Sequence, residues 1–229
     1  MRLQTDSSYH AVALTLDACG GKTDYRILDI LVKEAIPATV FATGLWIRNN
    51  PDAMALMRSH PELFEIENHG AGHVPAIDQK MSIYGIRAAG SAGAVRGEVE
   101  GGALAVRRAT GITPRWFRGA TATYTVTSIA LIRSMNFHIA GFSISADGGG
   151  LLGTNATMRR MAAAGDGDIL LAHLNQPRRP AGVGVVKGIL LLKAKGYRFV
   201  KLLDASAIQT DVQRHTGRVV TPWHSVPRS

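Results

Sequence analysis

Apolar residues along this chain follow two rhythms. Unbroken apolar runs of strand length alternate with stretches in which apolar positions recur every three or four residues. The run His10-Ala-Val-Ala-Leu-Thr-Leu16 has the continuous apolar character of a strand buried on both faces, as in a parallel sheet. Similar runs predict strands at 38–42, 64–67, 115–117, 137–143, 168–172 and 197–202. Helical spacing begins behind a Thr23 or Asp24 cap, continues through Ile27, Leu28, Leu31, Val32 and Ala35, and stops at Pro37. Further helices are expected at 51–58, opened by Pro51-Asp52, and at 126–135, 155–164 and 183–195. Ile83 to Thr110 reads as one long or broken helix, weakened by Gly97 and Gly101-Gly102.

Strands thus alternate with helical segments about seven times, which predicts parallel βαβ units. No fixed-period repeat and no Pro- or Ser-rich linker interrupts them, so a single domain over 1–229 is expected. Its core covers about 10–205, with a basic tail at 206–229 that looks irregular after Thr210. Roughly 200 residues of this pattern in one unit predict a closed or nearly closed α/β barrel of about seven parallel strands. An open doubly wound sheet is the alternative. The Gly-rich turn Ala18-Cys-Gly-Gly21 lacks the spacing of a dinucleotide fingerprint.

Composition changes this picture little, and charge changes it at one end. The 229 residues are 46% hydrophobic and 19% charged, ordinary for a folded protein. No apolar run is long enough to span a bilayer, and Met1 to Asp6 lack the apolar stretch of a signal peptide. That leaves a cytoplasmic protein or one read from after a removed leader. The lone Cys19 excludes an internal disulfide. Of the formal net charge of +9, the segment Gln176–Ser229 carries +8. Such a segment is suited to an anionic polymer such as cell-wall polysaccharide, or is simply a solvated basic face. Nucleic acid is not expected, because the basic residues are not interleaved with stacking aromatics.

The candidate chemistry sits at the strand ends. His69 and His73 lie four residues apart in a Gly-rich turn, a spacing that lets two neutral imidazoles converge on one divalent ion. Asp17, His69, Arg118, Asp147 and His173 each follow a predicted strand. In an α/β barrel the C-terminal strand ends share one mouth, where these five become neighbours. Such a set suits metal-assisted hydrolysis: Asp17 as general base, His173 as proton donor to the leaving group, and Arg118 orienting Asp17 or Asp147.

In chain order these residues resemble the motifs of the polysaccharide deacetylases of the NodB-homology type, the family 4 carbohydrate esterases. Thr15-Leu-Asp17 resembles the first motif, T-F-D-D, and Asn68-His69-Gly-Ala-Gly-His73 the metal motif. Trp116-Phe-Arg118-Gly-Ala-Thr121 resembles R-P-P-[YF], and Phe142-Ser-Ile-Ser-Ala-Asp147 the fourth motif. Ile169-Leu-Leu-Ala-His173 resembles the last. The resemblance implies a distorted (β/α) barrel, a divalent ion of the zinc type, and hydrolysis of an N- or O-acetyl group on a sugar, in an extracytoplasmic setting. It implies Asp17 as base, and as a ligand should it swing onto the ion; His69 and His73 as metal ligands; and His173 as acid. Arg118 and Asp147 would tune the base and acid, and the backbone N–H near Thr121 would face the oxyanion.

Three positions depart from the family pattern. The second Asp, a metal ligand, is Ala18 here; Asp17, Asp24 or the Cys19 thiolate could take its place. The proline pair is Gly119-Ala120, and the aromatic expected after Asp147 is replaced by Gly148 to Gly150. Hydrolysis of a small-molecule amide or imide, and non-catalytic glycan binding, are the alternative functions.

Overall fold

A computed structural model describes residues 1–4 and 10–204, together with the two short strands Ala207–Ile208 and Val219–Val220. Eight parallel strands carry the architecture: β1 (Ala11–Ala18), β2 (Ala38–Ala42), β3 (Phe64–Asn68), β4 (Trp116–Phe117), β5 (His138–Ile139), β6 (Ile144–Ser145), β7 (Ile169–His173) and β8 (Arg198–Val200). Seven of them pair in the order β6-β7-β1-β2-β3-β4-β5. β8 pairs with the first residues of β1, Ala11 to Ala13, while β2 pairs with its last, Thr15 to Ala18.

The two edge strands of this sheet, β5 and β6, are consecutive in the chain. Only residues 140–143 join them, and they bond to both neighbouring strands: the Ala140 N–H donates to the Phe117 carbonyl and the Ser143 N–H to the Ile169 carbonyl, each at 2.9 Å. The edges therefore come together and the sheet curls into a distorted (β/α) barrel. The strand expected at 137–143 is corrected to His138–Ile139 alone, and a second short strand just beyond it, Ile144–Ser145, lies on the opposite edge of the sheet.

β1 is buried at all eight positions, as its unbroken apolar run requires. Its outward residues Val12, Leu14 and Leu16 pack in the main core with Ile27, Leu28 and Leu31 of α1 (Tyr25–Lys33). Val185, Ile189 and Leu192 of the last described helix (Ala181–Ala194) join them. Inside the barrel, Ala13, Phe41, Ala140 and Ile169 pack with Met1, Leu3 and Leu202.

Two helical expectations change. The helix read over 83–110 begins only at Ala92, capped by the Ser91 side chain, and runs to Thr110. Ahead of it Ser82–Ile83 and Ile86–Arg87 form a small hairpin, because Tyr84 and Gly85 take left-handed conformations that a helix cannot contain. A short helix at Gly44–Asn49, capped by Thr43, was not foreseen; six residues give too little periodicity to read. The basic tail at 206–229 and the irregular stretch after Thr210 lie outside the described residues, apart from the four strand residues 207–208 and 219–220. The latter pair antiparallel with Tyr124–Thr125. Among the described residues, no helix is long and apolar enough to cross a membrane.

Candidate active site and metal centre

Register sets the site. His173 at the end of β7 is the direct partner of Asp17 on β1. Ser145 pairs with Leu171, so Asp147 stands beside His173 two residues further on. Asn68 pairs with Phe117, which brings His69 next to Arg118. All five strand-end residues expected from the sequence therefore meet at one rim, joined by His73 from the turn beyond β3.

Arg118 is fully buried and organises the base side. Its guanidinium donates to the Asp17 Oδ1 at 2.9 Å, the Thr15 hydroxyl at 3.0 Å and the Gly141 carbonyl at 3.0 Å. It also lies 4.2 Å from the Phe41 ring centroid, a cation–π contact. Burial alone would raise Asp17, but the charges of His69, Arg118 and His173 outweigh it and hold the carboxyl below its ordinary range. Asp17 is thus ionised at neutral pH.

The acid side is a separate pair. Both Asp147 oxygens lie 3.0–3.1 Å from the His173 Nδ1, and one accepts the His173 backbone N–H at 2.7 Å. Burial would lower His173, yet the bond to Asp147 and the neighbouring Cys19 raise it well above the usual histidine value. A carboxylate acceptor places a proton on Nδ1 and leaves Nε2 as the position that exchanges protons with the site.

His69 is fixed from behind. Its Nδ1 donates to the Arg118 carbonyl at 2.5 Å; a carbonyl only accepts, so in the neutral ring Nε2 carries the lone pair. That Nε2 stands 3.4 Å from the Cys19 Sγ and 3.7 Å from an Asp17 oxygen. Donor atoms of Cys19, His69 and His73 all lie within 4.8 Å of one another. Two imidazole nitrogens and a sulfur, with a carboxylate alongside, suit a divalent ion of the zinc type. Asp24 takes no part: it is buried, caps α1, and pairs with Arg26 through contacts of 2.7 and 2.5 Å.

The turn that carries His73 is held by Glu98, which sequence reading missed, and by Asn68, which it placed in the motif without a role. Glu98 accepts the backbone N–H groups of Gly72 at 3.0 Å and Val74 at 2.9 Å. The Asn68 side chain accepts the Gly70 N–H and donates to the Val99 carbonyl, both at 2.9 Å. Nothing in the spacing marks Glu98, which reads as one more charged helix residue. His73 itself is held at φ +64°, a strained conformation for a residue with a side chain.

The turn after Arg118 also departs from ordinary backbone. Thr121 and Ala122 have φ of +66° and +48°. The Gly119 N–H donates to the Tyr124 hydroxyl at 2.7 Å, a fastening the sequence did not signal. Where the resemblance expects an aromatic wall, Gly148, Gly149 and Gly150 all take positive φ and lead to an exposed Leu151.

A parallel α/β barrel with an ionised aspartate, a carboxylate-bound histidine and a pair of histidines at its C-terminal rim defines the class of the family 4 carbohydrate esterases. The chain belongs to the polysaccharide deacetylase family, whose model matches residues 4–140. Peptidoglycan deacetylase PdaC from Bacillus subtilis is similar, at 21% identity and a TM-score of 0.68, covering 87% of this chain and 91% of that one. A family 4 carbohydrate esterase from Streptomyces lividans, solved with acetate, gives 18% identity and a TM-score of 0.66, with 88% and 93% covered. A family 4 pseudoenzyme from Bacillus anthracis gives 19% and 0.67, covering 87% of this chain but only 66% of that longer one. At these identities the likeness is one of fold. No curated protein matches the chain in sequence.

Proposed function

We propose that the protein is a metal-dependent hydrolase that removes acetyl groups from an N-acetylated sugar or glycan, outside the cytoplasm. The observation that carries this reading is the meeting of Asp17 and His173 on paired strands, each held in a different charge state by its own buried partner. Family membership supplies the reaction class.

A divalent ion held by His69 and His73 would polarise the acetyl oxygen and acidify a water. Asp17, ionised, takes a proton from the attacking water. His173 donates its Nε2 proton to the amine as the C–N bond breaks, and Asp147 stabilises the ring throughout. The Thr121 turn is the place for a backbone N–H facing the oxyanion.

Acetate release from N-acetylated chitooligosaccharides and peptidoglycan fragments tests this directly. Wild type releases acetate, and Asp17→Asn falls to background. Non-catalytic glycan binding is the second reading, favoured by Ala18 at the position of a family ligand. Retained glycan binding with no acetate from any fragment would decide for it.

The basic segment would guide an anionic polymer. Part of its charge is already engaged: Lys193 pairs with Glu34 at 2.9 Å and Lys201 with Asp204 at 3.5 Å. Binding of an anionic glycan should weaken as salt rises, and binding indifferent to salt would remove this role.

A further inference from the structure

We infer that the third protein ligand of the metal centre is the Cys19 thiolate, which makes it a site of one thiolate and two imidazoles for thiophilic divalent ions and leaves Asp17 free as base. The inference rests on the metal-dependent reading above and deepens it.

Ala18 has no donor atom, and its methyl is fully buried in the core outside the barrel. Three nearby side chains carry donors that could replace the missing carboxylate. Asp24 is spent on the α1 cap and on Arg26. Asp17 has one oxygen fixed by Arg118 at 2.9 Å, and its other oxygen is 3.7 Å from the His69 Nε2. It does not belong to the converging donor set, which consists of Cys19, His69 and His73.

Cys19 follows β1 directly and stands two residues beyond Asp17, so the strand's alternation turns it toward the same side. Its Sγ lies 3.4 Å from the His69 Nε2. Zinc–sulfur and zinc–nitrogen bonds of about 2.0–2.3 Å at a tetrahedral angle place two ligand atoms about 3.5 Å apart. The observed separation fits a shared ion without rearrangement of either side chain. It also fits a simple thiol–imidazole hydrogen bond, and the experiment separates the two.

A sulfur donor sets the ion. Thiolate and imidazole suit zinc or cobalt, whereas magnesium and calcium demand oxygen. Three protein ligands leave the fourth position to water, the arrangement of a catalytic centre. Asp17, kept off the ion by Arg118, then faces that water as a proton acceptor.

The test is cobalt(II) titration of the full, chelator-stripped chain, followed by absorption. Wild type should show the visible bands of bound cobalt together with a near-ultraviolet sulfur-to-cobalt charge-transfer band. Cys19→Ser, close in size at a half-buried position, should lose the near-ultraviolet band while its circular dichroism stays unchanged. Cys19→Asp should bind cobalt without that band and gain relative affinity for manganese. Zinc affinity of Cys19→Ala, read by competition with a chromogenic chelator, should fall at least about 100-fold, the upper end of what loss of an outer partner costs. Visible bands that vanish in His69→Ala, with no sulfur band in wild type, would overturn the inference and leave the deacetylase reading standing. Failure of wild type to bind either cobalt or zinc would overturn both.

Discussion

Arg118 holds a full positive charge with no exposure to solvent, so everything around it must answer that charge. Asp17 does so directly, and three oxygen acceptors (the Thr15 hydroxyl and the Ala140 and Gly141 carbonyls) with the Phe41 and Phe142 rings do the rest. Removing one member of such a pair leaves the other buried and unpaired, at about 3–5 kcal/mol. Arg118→Met should therefore lower the melting temperature well beyond what a surface change does. It should also shift the acidic limb of the pH–rate profile. Asp17 is now held below its ordinary value, so activity dependent on its charge is lost only at low pH. Without Arg118 that loss should occur at a higher pH, which a profile of kcat/KM would read. His173 makes a contrasting case. His173→Ala should cut turnover about 10²–10⁴-fold while the bound ion is retained. Equal loss of the ion would show that it is a ligand instead.

At the scale of elements, the metal turn depends on the long helix Ala92–Thr110 behind it. Gly102 on that helix admits the turn to van der Waals distance: a Cβ there would lie 2.1 Å from the Asn68 Oδ1 and 2.5 Å from the Gly70 carbonyl carbon. Backbone cannot give way as a flexible side chain can. Gly102→Ala should cost about 1–3 kcal/mol by overpacking and weaken zinc binding, as the His73 turn shifts away from His69. Unchanged zinc affinity in a folded Gly102→Ala protein would show that the turn is positioned some other way. The same helix shows what a sequence conveys. The strand ends and their five polar residues were legible because apolar runs mark strands, and parallel strands share one rim. Helix 51–58 was legible from Pro51-Asp52 and the spacing of its apolar residues. Glu98, Gly102 and Tyr124 were not, since their roles depend on which turn folds against them. The start of the long helix was misread for a similar reason: the left-handed turn at Tyr84-Gly85 is a backbone choice that composition does not announce.

At the scale of the whole molecule, the barrel closes around two buried glutamates. Glu65 and Glu67 share the inward face of β3, two residues apart. Glu67 accepts the backbone N–H groups of Arg115 at 2.9 Å and Trp116 at 2.8 Å, tying β3 to β4. Glu65 accepts the Thr39 hydroxyl at 2.7 Å and the Leu203 N–H at 3.1 Å, tying β3 to β2 and to the chain beyond β8. The Glu65 Oε1 is buried with no hydrogen-bond partner, and two charged carboxyls side by side in this interior would repel, which favours a proton on one of them. Burial, and the charge of Glu65, raise Glu67 from 4.5 to about 9. The folded state thus keeps a proton that the unfolded chain releases once pH exceeds about 4.5. Its stabilisation is complete below that value and is lost as pH rises through the folded one, by up to about 1.4 kcal/mol per pH unit for one proton. Glu67→Gln reproduces the protonated form: its amide oxygen still accepts from Arg115 and Trp116, and its amide N–H can donate to Glu65. The melting temperature of wild type should fall from neutral to alkaline pH, and that of Glu67→Gln should fall much less. Parallel slopes for the two proteins would mean that no proton is held between the glutamates, and that β3 is fastened to its neighbours by two charged carboxylates instead.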